Sequence, residues 1–381
     1  MPPQLGRIDF DHRTRTLVQP GGLDSLGELV APLGSRALLV TDRGLRAAGH
    51  LDRATASLQD AGVSVSLYDA VTPNPTTDDV DACAAFARGE RVDVVVGLGG
   101  GSSMDCAKGT LFLLAGGGTM HDYKGVGRGR GEFLPLVAVP TTAGTGSEAQ
   151  SFAVIADAQT HLKMACGDKR AAARIALLDP ELTLTMPWEV TVLTGLDAIS
   201  HALETLVTKP ASDLSRMFSR EAWRLLAGGF DRVLTDAVDA AAREDMLLGA
   251  HLAGMAIECS MLGAAHALAN PLTARFGVAH GQAVSVMLPH VIRFNAESGV
   301  RYDGLGLSVD QLVATVHRFT ARGGLKTHLS DLGVTADAVE AMAEDARGQW
   351  TGTFNPRQLT AGDAATLYRA AMRPLAATAA A

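Results

Sequence analysis

The sequence predicts two domains: an N-terminal α/β domain with a parallel sheet over residues 1–185, and an all-α C-terminal domain over residues 186–381. Three observations lead there. Short apolar runs that read as buried strands alternate with helical segments as far as Asp179-Pro180. Past that dipeptide strand-like runs nearly vanish, and Ala-, Leu- and Glu-containing helical stretches take over. One strand also runs directly into a glycine-rich loop that opens a helix.

The chain has 381 residues, 47% hydrophobic and 19% charged, with ample apolar material for buried interiors. Aromatics are few at 5%, whereas Gly and Ala abound. That favours tightly packed helices and glycine-dependent turns over a β-sandwich. The formal net charge of −8 gives no electrostatic reason to expect nucleic acid. Cys83, Cys106, Cys166 and Cys259 are widely spaced with no CxxC pair, which points to a reducing compartment. Met1-Pro2-Pro3-Gln4 has no signal pattern, and no uninterrupted apolar run reaches membrane-spanning length. A cytoplasmic protein with no membrane or nucleic-acid partner is expected.

In chain order, Arg7–Phe10 and Thr16–Val18 read as edge strands around a turn at Asp11-His12-Arg13. Ala37–Asp42 is a compact apolar run ending in an acid, which suits a strand buried on both faces. A helical segment follows to about Ala61, and Val63–Tyr68 then alternates like a strand. Val71–Thr77 holds two prolines that cannot donate a backbone hydrogen bond, so it reads as a loop. Thr77-Asp78-Asp79 offers an oxygen cap and first-turn acids to the next helix. Val92–Val96 and Leu134–Val139 are further strands, and the alternation predicts a doubly wound sheet. Beyond the boundary, helices are expected over Pro210–Gly228, Thr235–Met261 and Ser308–Leu332.

The loop Gly97-Leu98-Gly99-Gly100-Gly101-Ser102 lies between a strand and a helix. Glycines let backbone approach a pyrophosphate, and a helix N-terminus presents free N–H groups. The run ends in serine rather than the final glycine of GxGxxG, and it lacks the GK[ST] of a P-loop. A tight strand–helix turn explains it equally well. Asp42, at the end of an early strand, is placed to accept hydrogen bonds from a ribose, or simply to cap a helix. Pro140 through Glu148 is a second small-residue loop after a strand, able to hold a nicotinamide or a phosphate, or merely to be flexible.

Asp197 and His201 lie four residues apart in an apolar helical run, so they share one helix face. A carboxylate and an imidazole suit a divalent first-row metal, although an i,i+4 pair is also an ordinary helical ion pair. His266 sits in a second apolar helical run and His280 precedes Gly281. One acid and three histidines would leave positions open on a metal, as a catalytic site requires.

These stretches resemble the iron-containing (group III) alcohol dehydrogenase family over nearly the whole chain. The likeness rests on Gly99 through Ser102 with Asp105 and Lys108, and on Pro140-Thr141-Thr142 through Ser147-Glu148. It also rests on Asp179-Pro180, on Gly195 through His201, on His266 through His280-Gly281, and on Leu288-Pro289-His290 with Asn295. The resemblance implies an NAD-binding α/β domain and a helical metal-binding domain, a dehydroquinate synthase-like two-domain fold with the active site in the cleft. Asp197, His201, His266 and His280 would bind one divalent metal, usually Fe²⁺ and sometimes Zn²⁺, and would act in catalysis through it. Gly99, Gly100, Gly101 and Ser102 would hold the pyrophosphate. Asn74, Asp105, Thr141, Thr142 and Ser147 would lie by the cofactor, and Asp42 would favour NAD(H) over NADP(H). Many relatives carry a second histidine where this chain has Asn270, a position implied to border the substrate pocket. A homodimer acting on a small alcohol or aldehyde is expected.

The implied function is metal-dependent hydride transfer between NAD(H) and an alcohol/aldehyde or ketone pair. Two alternatives remain open at this point. A dehydroquinate synthase-like lyase or cyclase would call for a basic cluster, whereas only Lys163 and dispersed arginines such as Arg275 are visible. A non-catalytic NAD- or metal-binding protein is the other.

Overall fold

The computed structural model describes residues 12–160 and 162–374, so Arg7–Phe10 and Asp11 lie outside it. The described chain falls into two compact units, one ending at Met186 and the other beginning at Pro187.

The first unit carries strands β1 (Arg15–Val18), β2 (Arg36–Val40), β3 (Ser64–Tyr68), β4 (Val94–Gly99), β5 (Gly125–Val126), β6 (Leu136–Pro140), β7 (Phe152–Ala156), β8 (Lys163–Gly167) and β9 (Ile175–Leu178). Its helices are α1 (Leu26–Val30), α2 (Gly44–Ala47), α3 (His50–Asp60), α4 (Thr77–Glu90) and α5 (Gly101–Gly116). Six strands form a parallel sheet in the order β1-β9-β6-β4-β2-β3. Alternate residues feed cores on its two faces. Leu38, Val40 and Val95 pack with α4 and α5, while Ala37, Leu39, Val94 and Val96 pack with α1 and α3. The Thr16–Val18 run becomes β1 at the edge of the sheet, paired among the described residues to β9 alone. Helix α4 is capped one residue before the expected start, by Thr76 in a capping box with Asp79. β5, β8 and β7 form a second, small sheet.

The order places the site. From β2 the chain builds β3 on one side, then crosses to β4 on the other, so the winding reverses between β2 and β4. Parallel strands end on one side of the sheet, and such a reversal leaves a crevice beyond their carboxyl ends.

The second unit holds α6 (Trp188–Val207), α7 (Asp213–Val233), α8 (Ala240–Ser260), α9 (Ala264–Phe276), α10 (His280–Glu297), α11 (Val309–Arg322), α12 (Val339–Arg347) and α13 (Ala361–Ala371). α6 packs against α7, α8 and α10, and α9 packs against α10 and α12. The chain turns through 104° between α8 and α9, where Met261 adopts φ 61°. The helix expected over Ser308–Leu332 is broken. It stops at Arg322, Gly324 has φ +82°, and a separate 3₁₀ turn covers Leu329–Leu332. By length and composition α6 could cross a membrane, but 83% of its apolar window is buried, and it carries Asp197, His201 and Glu204.

Candidate metal centre and dinucleotide site

In the helical unit, Asp197, His201 and Glu204 lie on one face of α6 by their i, i+4 and i+7 spacing. His266 comes from the first turn of α9, and His280 is the first residue of α10. Gly281 lets His280 approach α6: a Cβ there would lie 2.2 Å from the Leu193 carbonyl oxygen. Asp197, His201 and His266 bring ligand atoms within 4.8 Å of one another. Asp197 Oδ1 is 3.4 Å from Nε2 of His201, 3.4 Å from Nε2 of His266 and 3.8 Å from Nε2 of His280. The Nε2 atoms of His201 and His266 are 3.1 Å apart. Donors about 2.1 Å from one tetrahedral ion stand about 3.4 Å apart, so the spacings of Asp197, His201 and His266 fit a shared cation, while His280 stands outside that close group.

Burial would push the Asp197 carboxyl up, but His201, His266 and His280 outweigh it and hold it well below the usual carboxylate range. Burial lowers His266, and the carboxylates of Glu204 and Asp197 together raise it to about 9. Asp197 Oδ1 is nevertheless buried with no hydrogen-bond partner. A buried charged oxygen left in this state is costly unless a cation meets it.

Glu204 is a residue beside these donors that sequence reasoning left unassigned. Its carboxylate accepts from the Ala265 N–H at 2.6 Å and lies 2.5 Å from His266 Nδ1. The available signal was a third polar residue on the Asp197–His201 face. Asn270, one turn after His266, donates through Nδ2 to Gln349 Oε1 at 2.9 Å.

In the α/β unit, Gly99 ends β4, and Asp42 and Thr141 follow its neighbours β2 and β6. The Thr141 N–H donates to the Gly99 carbonyl at 2.9 Å. Gly99 has φ +149°, and a Cβ there would meet Ser103 Oγ at 2.4 Å and Asp42 Oδ2 at 3.5 Å. A Cβ on Gly100 would meet Thr142 at 3.3 Å, and one on Gly101 would meet Thr145 at 2.7 Å. The first loop, the second loop and Asp42 therefore converge. Asp42 Oδ1 also accepts from the Gly44 N–H at 2.8 Å, the capping role allowed by sequence. Asn74, at φ 55°, donates its N–H to Ser102 Oγ at 3.2 Å. α5 starts at Gly101 with no side-chain cap, and Thr142 Oγ1 is buried without a hydrogen-bond partner. Uncapped N–H groups and an orphan hydroxyl on one cradle fit a phosphate-bearing ligand.

Asp105 and Ser147 are engaged from behind. Lys108 is fully buried. It donates to the Ser147 carbonyl at 2.6 Å, Ser147 Oγ at 2.8 Å and the Phe152 carbonyl at 2.9 Å. Ser147 Oγ in turn donates to Asp105 Oδ1 at 2.6 Å.

The chain is similar to known proteins over both units. A family model described as iron-containing alcohol dehydrogenase matches residues 13–180. A second, for the C-terminal part of the Fe-containing alcohol dehydrogenase family, matches residues 191–372. A 1,3-propanediol dehydrogenase of Klebsiella pneumoniae is 34% identical over 92% of this chain and 95% of its own. The crystal structure of a 1,3-propanediol oxidoreductase superposes with TM-score 0.89 at 33% identity, covering 96% of this chain and all (100%) of that one. A sulfoacetaldehyde reductase from Bifidobacterium kashiwanohense, solved in complex with NAD⁺, gives TM-score 0.88 at 27% identity, covering 97% of this chain and 100% of that one. These relatives are oxidoreductases by name, which does not favour the lyase alternative. With both halves matched by the family's models and its fold reproduced from end to end, the chain belongs to the iron-containing alcohol dehydrogenase family.

Proposed function

We propose that this enzyme transfers hydride between NAD(H) and a small alcohol–aldehyde or ketone pair, with a divalent metal as its second cofactor. The observation that carries this reading is the buried Asp197 carboxylate oxygen that accepts no hydrogen bond and faces three imidazole nitrogens at 3.4–3.8 Å, in a chain of this family. The donor set suits Fe²⁺ or Zn²⁺, and Asp197, His201, His266 and His280 would hold the ion. When bound, such an ion polarises the substrate oxygen, and the nicotinamide gives or accepts the hydride.

The chain's own side chains do the rest. Asp197 is the one anion among the four donors, so a divalent site keeps net positive charge that favours an alkoxide. Asp197, His201 and His266 are buried, which excludes water from that side. The His280 side chain, 24% exposed, marks the open side. Asn270 shares the His266 face and offers substrate a neutral amide rather than a titrating base. In the α/β unit, Gly99 through Ser102 hold the pyrophosphate at the α5 N-terminus, with Asn74, Thr141 and Thr142 around it. Asp42 takes the ribose hydroxyls, and Asp105 with Ser147 shapes the second loop. The names of the relatives support a short alcohol or diol, and the NAD⁺ complex of a similar structure supports the dinucleotide. A cytoplasmic homodimer belongs to the same reading, supported by four free cysteines for the reducing setting.

Elemental analysis of wild type and Asp197→Ala, paired with NADH-linked turnover on short alcohols and diols, tests the proposal. About one Fe or Zn per wild-type chain, lost together with turnover in the variant, is expected. Full turnover in metal-free wild type would overturn it.

A further inference from the structure

We infer that Glu204 is a positioning residue for the metal centre, whose single carboxylate both caps helix α9 and sets the tautomer of His266. The inference rests on the metal reading above. α9 opens at Ala264 after Gly263, which has no side chain to cap it. Its first-turn N–H groups go instead to two buried residues from elsewhere in the helical unit. The Ala264 N–H donates to Asn355 Oδ1 at 3.2 Å, and the Ala265 N–H donates to Glu204 Oε1 at 2.6 Å. Backbone and carboxylate are in close contact: a Cβ on Gly263 would fall 3.0 Å from Glu204 Oε1.

The second carboxylate oxygen, Oε2, lies 2.5 Å from His266 Nδ1. An ionised carboxylate accepts only, so Nδ1 keeps its proton and Nε2 is the nitrogen free to give up its own and bind a cation. Nε2 is the atom that faces Asp197 Oδ1 and His201 Nε2. The start of α9 and the ligand it carries are thus fixed by the same side chain, which is 4% exposed. A glutamine of the same shape cannot replace it. Its amide has one oxygen for two donors, and its NH₂ would face an N–H.

The test is Zn²⁺ affinity, by competition with a chromophoric chelator, for wild type, Glu204→Gln and Asn355→Ala, beside thermal unfolding of each metal-free protein. Asn355→Ala removes the other cap and leaves His266 Nδ1 its partner. Glu204→Gln is expected to weaken Zn²⁺ by about 10–100-fold, while Asn355→Ala lowers the unfolding temperature with Zn²⁺ affinity unchanged. Unchanged affinity in Glu204→Gln, or equal weakening in both variants, would overturn the inference. Failure of wild type to bind Zn²⁺ would instead overturn the metal reading, and this one with it. If Glu204→Gln does not fold, imidazole ¹⁵N spectra of Zn²⁺-loaded wild type decide. A proton on His266 Nδ1 supports the inference, and zinc on Nδ1 refutes it.

Discussion

Lys108→Met should unfold the α/β unit early. The ammonium is fully buried on α5 and ties that helix to the second loop through Ser147 and to β7 through the Phe152 carbonyl, at 2.6–2.9 Å. Methionine keeps the stem's volume, so the loss is polar rather than a cavity. It takes a charged donor from two carbonyl oxygens, of which that of Ser147 keeps the Gln150 N–H, and removes the cation 3.9 Å from Asp105, whose side chain is only 16% exposed. Breaking one partner out of a buried ionic network costs about 3–5 kcal/mol, and two carbonyls losing a charged donor give a similar sum. At about 2–4 °C per kcal/mol for a unit of this size, the melting temperature should fall by about 6–20 °C. Calorimetry on purified variants reads it. The sign of the pH dependence follows from Asp105. Burial raises its carboxyl and Lys108 opposes that rise, so the variant's carboxyl goes higher still. A carboxyl raised in the folded state costs nothing below its unfolded value and destabilises as pH climbs through the folded one. The gap to wild type should therefore shrink in acid. Adding Asp105→Asn should recover part of the loss at neutral pH. A change below about 2 °C, or a gap that widens in acid, would show that Lys108 bears no such load.

Three further outcomes are expected. Asp42→Gly should raise kcat/KM for NADP(H) relative to NAD(H) about tenfold or more, since removing repulsion between exposed unit charges is worth ~1–2 kcal/mol; an unchanged ratio excludes Asp42 from the ribose. Gly281→Ala should lower metal content as well as stability, the latter by about 1–3 kcal/mol, because its Cβ would sit 2.2 Å from the Leu193 carbonyl oxygen and push His280 off α6. Full metal occupancy in that variant refutes the role given to the close approach. His290 is lowered to about 4 by burial, with Arg293 and His317 adding to it; being depressed from 6.5, it stabilises the fold above that value and the gain is lost as pH falls towards 4. His290→Gln should flatten the melting temperature over that window, and an equally steep fall in the variant contradicts it.

What the sequence disclosed follows the range of each interaction. Asp197 and His201 were legible because helical periodicity alone puts them together. The β4–glycine loop–α5 unit was legible because its strand is apolar on both faces. β7, β8 and β9 escaped notice: Lys163-Met164-Ala165-Cys166-Gly167 has no alternation, and its strand state comes from pairing with β7. The break in the Ser308–Leu332 helix hangs on Gly323-Gly324, two small residues in an otherwise periodic run. Glu204 stood in plain view, but its partner His266 is 62 residues away, and only packing of α9 on α6 assigns it. Lys108 offered a fainter signal, a lone cation amid Met104, Leu111 and Phe112, which required buried acceptors from somewhere.

The two sites are built on different physics, and that governs how each tolerates change. The proposed dinucleotide cradle is mostly backbone: strand ends, a helix N-terminus and glycines whose missing Cβ atoms make room for neighbours. Its sequence demands are local and nearly all of one kind, an absence of side chain. The proposed metal centre is the reverse. Its donors come from three helices, and the second carboxylate behind His266 lies in none of the short motifs that mark the ligands. Asp197 and Glu204 put two acids in a nearly dry interior beside the same imidazole. Both Glu204 oxygens are met from within the chain, by the Ala265 N–H and by His266 Nδ1, whereas Asp197 Oδ1 accepts no hydrogen bond and faces the Nε2 atoms of all three histidines at 3.4–3.8 Å. The helical unit thus carries an unmet electrostatic demand at the point where a cation would answer it.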